Sequence, residues 1–303
     1  MVCTNPIRVR IDRTRPMSLE NSMLVPCQKC IACRIQKTSE WAIRLMLELP
    51  TWNYEASFIT LTYDDEHLPH DLSLKSDDLC KFWKRLRKDY SKPIKYYACG
   101  EYGDKELKYW SPEALKPHGR PHYHAIVFGF GYNEENRRII KDNWRYCSED
   151  RFDYSIYKKQ EQGFAPVTPD DIRYVTGYVQ KKLSGDMAKE QYGTAIAPFS
   201  RSSRGLGLEY AIEHVEELNE RKLKFEGRNI TIPRYFLKKL DLVSSDFGIQ
   251  HKIEYLQERG IITKSTDYNP IYFKKMVEGL YESESYKHLQ QYDKELRARY
   301  NLE

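Results

Sequence analysis

Gly119-Arg-Pro-His-Tyr-His-Ala-Ile-Val127 is the stretch on which the reading of this chain turns. It sets His122 and His124 two residues apart at the start of an apolar run, and in a strand residues i and i+2 point to the same face. Two imidazoles on one face can hold a divalent metal without backbone rearrangement. The plainer alternative is two partly buried histidines, each with its own hydrogen-bond partner, but this strand is short of other polar groups to supply them. A third ligand is expected from a paired strand. Ile94-Lys-Tyr-Tyr-Ala-Cys-Gly-Glu101 reads as that strand, and Glu101 at its end can reach the same spot. Its alternative is a surface acid in the turn Gly100-Glu-Tyr-Gly103. Two imidazoles and one carboxylate leave open positions, which suits Mg²⁺ or Mn²⁺ as a Lewis acid, with Zn²⁺ compatible on ligand type.

Working outward, Ala56-Ser-Phe-Ile-Thr-Leu-Thr-Tyr63 is rich in β-branched and aromatic residues and reads as a strand. An amphipathic helix is expected from Arg34 to Leu49, stopped by Pro50. Ser76-Asp-Asp opens another, with Leu79, Phe82, Trp83 and Leu86 at the spacing of a buried face. Its other face carries Lys81, Lys84, Arg85, Arg87 and Lys88, of which Lys81, Lys84, Arg85 and Lys88 are candidate phosphate contacts, a solvated face being the alternative. A polar loop with Pro112, Pro117, His118 and Gly119 returns the chain to a strand at His122–Phe130. Strands with helices between and after them, joined by hairpin-like returns, predict an α+β fold with an antiparallel sheet.

A second motif follows, Tyr174-Val-Thr-Gly-Tyr178-Val-Gln-Lys-Lys182. Thr168 can cap a helix there, with Pro169 in its first position, Asp170 and Asp171 in the positive first turn, and Ser184-Gly185 as a stop. At about 100° per residue, Ile172, Val175, Val179 and Leu183 share one side, while Tyr174, Tyr178 and Lys181 fall opposite with Lys182 at the edge. The apolar side can dock the helix and leave both hydroxyls facing a cleft. A tyrosine pair at i, i+4 more often packs than reacts, yet here the packing face is already occupied. A tyrosine of pKa near ~10 needs a cation to stabilise its phenolate, and Lys182 is better placed for that than Lys181. Gly177 costs roughly 1 kcal/mol of helix propensity and removes the bulk that would keep a nucleic-acid backbone away.

The 303 residues carry 49 Lys+Arg against 44 Asp+Glu, a mildly basic balance, so the local basic stretches say more than the total. No segment approaches the ~20 apolar residues of a membrane span, and no export signal or internal repeat is visible. Seven cysteines, an odd number without such a signal, argue against a disulfide framework. Cys27-Gln-Lys-Cys-Ile-Ala-Cys33 has the spacing of a zinc or iron–sulfur site, with Cys3 as the nearby fourth thiolate. A closed structural zinc site is the expectation; three reduced cysteines at a helix N-terminus are the alternative. Cys80, Cys99 and Cys147 are expected in the core.

The order Phe58-Ile-Thr-Leu-Thr-Tyr63, Glu101, Pro121-His-Tyr-His124 and Tyr174-x-x-x-Tyr178-x-x-x-Lys182 resembles the three motifs of HUH endonucleases, the rolling-circle replication initiators and their relatives. The two-tyrosine form resembles the superfamily containing microvirus initiators. Val25-Pro-Cys-Gln-Lys-Cys-Ile-Ala-Cys33 with Trp41-Ala-Ile-Arg-Leu45 is similar to the opening of the gokushovirus type, and Ser203-Arg-Gly-Leu-Gly207 to a later element of it, shifted by a residue. The resemblance spans about residues 25–207. It implies a five-stranded antiparallel sheet flanked by helices, with the histidines on a central strand. It implies metal at His122, His124 and Glu101, attack by Tyr174 or Tyr178 on a single-stranded viral or plasmid origin, a 5′-phosphotyrosine, and a free 3′-OH that primes host polymerase. The implied setting is the cytoplasm of a host bacterium, with a host helicase, since no phosphate loop is present. The organisation read from this is a Cys-rich segment and helix over 1–50, the endonuclease domain over 51–207 and a mainly helical region over 208–303. A relaxase or transposase with the same chemistry, a non-catalytic zinc-containing DNA-binding protein and a water-using hydrolase are the competing readings.

Overall fold

The computed structural model describes residues 3–18, 21–103, 119–147, 163–181, 186–220 and 222–240, with 242 and 291. From the N-terminus, strands β1 (Ile7–Arg10) and β2 (Ser22–Val25) precede helix α1 (Ile31–Thr51) and strand β3 (Ala56–Thr62). Helix α2 (Ser76–Asp89), strands β4 (Lys95–Tyr102) and β5 (Pro121–Phe128) and helix α3 (Glu134–Asn143) follow. Next come β6 (Phe164–Pro166), α4 (Pro169–Lys181), α5 (Asp186–Tyr192) and β7 (Phe199–Ser202). The described chain continues with α6 (Leu208–Glu213), α7 (Val215–Asn219), the short strands β8 (Lys224–Phe225) and β9 (Arg228–Asn229), and α8 (Arg234–Lys239). Two compact units result, one of residues 38–231 and one of 1–37 with 232–303.

The unit of residues 38–231 is built on a five-stranded sheet in the order β6-β3-β5-β4-β7, every pair antiparallel. The α+β class, the antiparallel sheet and the central place of the histidine strand are as the sequence predicts. Alternation along β3 and β5 divides the core between two faces. Ile59, Leu61, Tyr123, Ala125 and Val127 pack on one face with Leu79, Phe82, Trp83 and Leu86 of α2 and Ile140 of α3. Phe58, Tyr97, Cys99, Ile126 and Phe128 pack on the other with Leu45 of α1 and Ile172 and Val175 of α4. A 14-residue helix such as α2 is marginal alone in water. Burying its four large side chains, at roughly 1.5–3 kcal/mol each, is what holds it in place.

Several boundaries differ from the expectation. Helix α1 runs through Pro50 to Thr51, because a proline in the last turn removes only one intrahelical bond. The stop is made instead by Asn53 and Tyr54, both left-handed (φ 51° and 61°), with the Tyr54 N–H donating back to the Leu49 carbonyl. Strand β5 ends at Phe128 rather than Phe130, since Gly129 turns with φ 73° beneath the Trp52 ring. Cys80 is exposed, one position off the apolar stripe of α2, whereas Cys99 is buried and Cys147 half-buried. Beyond residue 207 the described segments are short helices interrupted by the β8–β9 hairpin. The expected helical stop at Ser184-Gly185, and His118, lie outside the described residues.

Candidate metal centre

Antiparallel register decides which side chains meet. On β5, His122 faces Glu101 of β4 and Thr62 of β3; His124 faces Cys99 and Thr60. Both histidines and Glu101 therefore rise from one sheet face, and all three are buried. The Nε2 atoms of His122 and His124 lie 3.0 and 3.2 Å from the same carboxylate oxygen of Glu101. The other ring nitrogens are held from behind. His122 Nδ1 is 3.0 Å from the Arg120 carbonyl, and His124 Nδ1 is 2.9 Å from the Thr60 hydroxyl. With Nδ1 donating in each ring, both Nε2 lone pairs turn inward, the tautomer a metal-ligating histidine requires. Burial pushes the Glu101 carboxyl up, but hydrogen bonds from His122 and His124 outweigh it and bring it down to about 2. Two imidazole nitrogens and one carboxylate form a candidate divalent-metal site, and the donor set fits one with room for further ligands.

Helix α4 lies over this cluster. Its start is as read from the sequence: the Thr168 hydroxyl accepts from the Asp171 N–H, and Asp171 accepts in return from the Thr168 N–H and hydroxyl. Ile172 and Val175 are buried as the docking face. The two tyrosines, expected to face a cleft alike, do not share one environment. Tyr174 is 46% exposed, with its hydroxyl 3.4 Å from His124 Nε2. Tyr178 is 7% exposed and belongs to the apolar cluster beneath the helix. On a helical wheel it stands only about 60° from Val175, near enough to be drawn inside. Its ring stacks on His124 at 5.8 Å and 10°, and Phe58 stacks on the same imidazole at 5.6 Å and 17°. Burial, then the charge of Glu101 and a hydrogen bond to it, raise the Tyr178 phenol well above its ordinary range.

Other sequence candidates fall elsewhere. Lys182 lies outside the described residues, and Lys181 ends α4. Helix α2 packs on the sheet face opposite the histidines, so Lys81, Lys84, Arg85 and Lys88 are not brought to this cluster. Lys81, Lys84 and Lys88 are exposed, while Arg85 donates through Nε and Nη2 to the Asn143 carbonyl at the end of α3. Ser203-Arg-Gly-Leu-Gly207 is a clasp. The Ser203 backbone and hydroxyl bond Tyr96, Arg44 donates to the Leu206 carbonyl, and the buried Glu48 carboxylate accepts from the Gly207 N–H. Thr60 is the site residue that sequence reasoning missed. Its signal was the alternation Phe58, Thr60, Thr62 on the strand beside the histidines.

In the other unit, the thiols of Cys3, Cys27, Cys30 and Cys33 lie within 4.8 Å of one another. Backbone N–H groups of Cys27, Lys29 and Cys30 point at the sulfurs of Cys3, Cys27 and Cys27, and Gln28 turns the loop with φ 63°. Burial pushes the Cys30 thiol up, yet hydrogen bonds from Thr4 and Cys33 bring it down to about 6.

Residues 56–183, which hold β3, β4, β5, the cluster and both tyrosines, match the family model of the ORF2-type replication-associated proteins. Three curated relatives agree. The replication-associated protein ORF2 of Spiroplasma virus 4 is 27% identical over 253 residues, covering 78% of this chain and 72% of the relative. The replication-associated protein VP4 of Bdellovibrio phage phiMH2K is 31% identical over 61% of this chain and 59% of its own length. The replication-associated protein ORF4 of Chlamydia phage 1 is 30% identical over 76% of this chain. The chain thus spans less than two thirds of the last two, with 57% of the Chlamydia phage protein covered. No solved structure matches the chain. Among the described residues, no helix is long and apolar enough to cross a membrane.

Proposed function

Because residues 56–183 belong to the ORF2-type replication-associated protein family, we propose that this chain is an HUH-type nickase and strand-transferase that initiates rolling-circle DNA replication. The observation that carries the reading is the convergence of His122, His124 and Glu101 beside the Tyr174 hydroxyl. A phosphodiester seated there meets metal ligands and a nucleophile at once. His122, His124 and Glu101 would hold Mg²⁺ or Mn²⁺, which supplies Lewis-acid polarisation of a phosphate oxygen. The chain's own part is positional. Thr60 and the Arg120 carbonyl fix the imidazoles, and α4 presents the phenols over them.

A tyrosine oxygen bonds to phosphorus and the bond to the 3′ oxygen breaks, which leaves a 5′-phosphotyrosine and a 3′-OH to prime host polymerase. The second tyrosine cleaves the regenerated origin, and the new 3′-OH attacks the first linkage to close a circle. Lys182 is assigned to phenolate stabilisation, and Lys81, Lys84, Lys88 and Lys181 to phosphate contacts. The partners are single-stranded origin DNA and a host helicase and polymerase, in the cytoplasm of a bacterial host. Cys3, Cys27, Cys30 and Cys33 are assigned a structural zinc, supported by four clustered thiols and the N–H groups aimed at them.

The test is an SDS-stable protein–DNA band formed from purified protein, Mn²⁺ and single-stranded parental DNA. It should vanish with EDTA, with His122→Ala/His124→Ala and with Tyr174→Phe/Tyr178→Phe. Tight binding without an adduct would favour a non-catalytic DNA-binding protein, and cleavage without one a hydrolase.

A further inference from the structure

We infer that the two tyrosines act in a fixed order, with Tyr174 making the first cut and Tyr178 held back until Tyr174 is spent. The inference rests on the transesterase reading above and adds to it a division of labour that the sequence motif does not contain. In the motif the two residues are equivalent, one helical turn apart. In the fold they are not.

Tyr174 presents nearly half its surface to solvent, and its hydroxyl stands 3.4 Å from His124 Nε2. A strand entering from solvent reaches this oxygen without moving any part of the protein. Tyr178 is buried on three sides: its ring stacks on His124, packs against the apolar face of the sheet, and lies under the Tyr174 ring at 5.0 Å and 83°. Its hydroxyl is committed to Glu101 and Tyr174. Attack on a phosphodiester requires an approach in line with the leaving oxygen, and a polyanionic backbone has no route to Tyr178 past Tyr174.

In the first cut the Tyr174 oxygen bonds to phosphorus and the phosphorus–O3′ bond breaks. The phenolic proton is lost to solvent and the departing 3′ oxygen takes one up, so protons balance and no further reactant is needed. Linkage draws the Tyr174 ring along with the phosphate. That uncovers the hydroxyl beneath it, so the second nucleophile becomes available only after the first has reacted. A device of this kind prevents both tyrosines from cutting the same strand before one round is complete.

The experiment uses the full-length wild-type protein with Mn²⁺ and single-stranded oligonucleotides tiling the parental origin, quenched within the first turnover. After nuclease and protease digestion, mass spectrometry reads which tyrosine carries the 5′-nucleotide. The expected result is at least a tenfold excess on Tyr174, with Tyr178 adduct rising only when a second origin copy is supplied. Tyr174→Phe should lower first-turnover adduct at least tenfold. Early adduct divided equally, or predominant on Tyr178, overturns the order and leaves the transesterase reading standing. Absence of adduct on either residue overturns that reading and the order with it.

Discussion

Thr60→Val is the sharpest probe of how the metal ligands are held. The substitution keeps the branched shape of a buried strand residue and deletes only the hydroxyl that lies 2.9 Å from His124 Nδ1. Two consequences follow. His124 retains an N–H with no acceptor in a buried place, an unsatisfied donor worth about 1–3 kcal/mol. The ring also loses the contact that fixes its tautomer and plane, and removing such an outer contact typically lowers metal affinity about 10- to 100-fold. At about 1.4 kcal/mol per decade, that is roughly 1.4–2.8 kcal/mol, in line with the hydrogen-bond figure. Calorimetric titration of Mn²⁺ into wild type and variant at one pH gives the affinity ratio, and thermal melts of both without metal give the stability cost. Thr60→Ser, which restores the hydroxyl, should recover most of the affinity. A Thr60→Val protein that folds normally and binds Mn²⁺ within twofold of wild type would refute the positioning role.

Gly177→Ala should raise stability by about 0.5–1 kcal/mol, because a methyl there meets no protein atom and alanine is the better helix former; urea unfolding reads the gain. If the nucleic-acid backbone occupies that space, the same variant should bind origin single strands less tightly in an anisotropy titration, and unchanged binding would show the space is not used. Cys30→Ser should lower bound zinc from about one equivalent to a trace by elemental analysis under reducing conditions, with a drop in melting temperature, since metal binding at such sites is linked to folding. Wild-type protein free of zinc and iron would end the zinc assignment. Glu48→Ala should cost roughly 3 kcal/mol in urea melts. It strips the fully buried partner from Lys95 Nζ at 2.6 Å and from the Trp52 and Gly207 N–H groups, with Lys95, one quarter exposed, able to recover some hydration. A loss under 1 kcal/mol would mean the clasp contributes little.

What the sequence made legible was what period and register control. The period of two put His122 and His124 on one face, and the end of the neighbouring strand put Glu101 opposite His122. The Thr168-Pro-Asp-Asp start of α4 follows from capping chemistry that needs no tertiary partner. Three features escaped for one shared reason: each depends on which side of the sheet an element packs. Thr60 is an ordinary strand former until β3 is known to pair with β5 in a register that sets it beside His124. Tyr178 lies off the apolar stripe on a wheel, yet the width of the docking surface takes it in. The basic residues of α2 have the composition of a phosphate contact, but α2 covers the far face.

The placement also shows why the cluster and the nucleophiles are held by different means. His122 and His124 sit on the middle strand of five, with β3 and β4 paired on either side, so their backbone cannot shift without breaking two ladders. Metal ligands benefit from that rigidity, because a site set by its surroundings spends little binding energy on ordering itself. The tyrosines stand instead on a helix docked through Ile172, Val175 and the ring of Tyr178 itself. A nucleophile that must move with its phosphate after reacting is better carried on such an element than on the sheet. The burial of Tyr178 therefore serves two ends: it anchors α4 while Tyr174 is exposed for the first attack, and it keeps the second hydroxyl beside Glu101 rather than in solvent. The anchor and the reserve nucleophile are one side chain, and for that reason Tyr178→Phe, which keeps the ring, separates the two roles where Tyr178→Ala would abolish both.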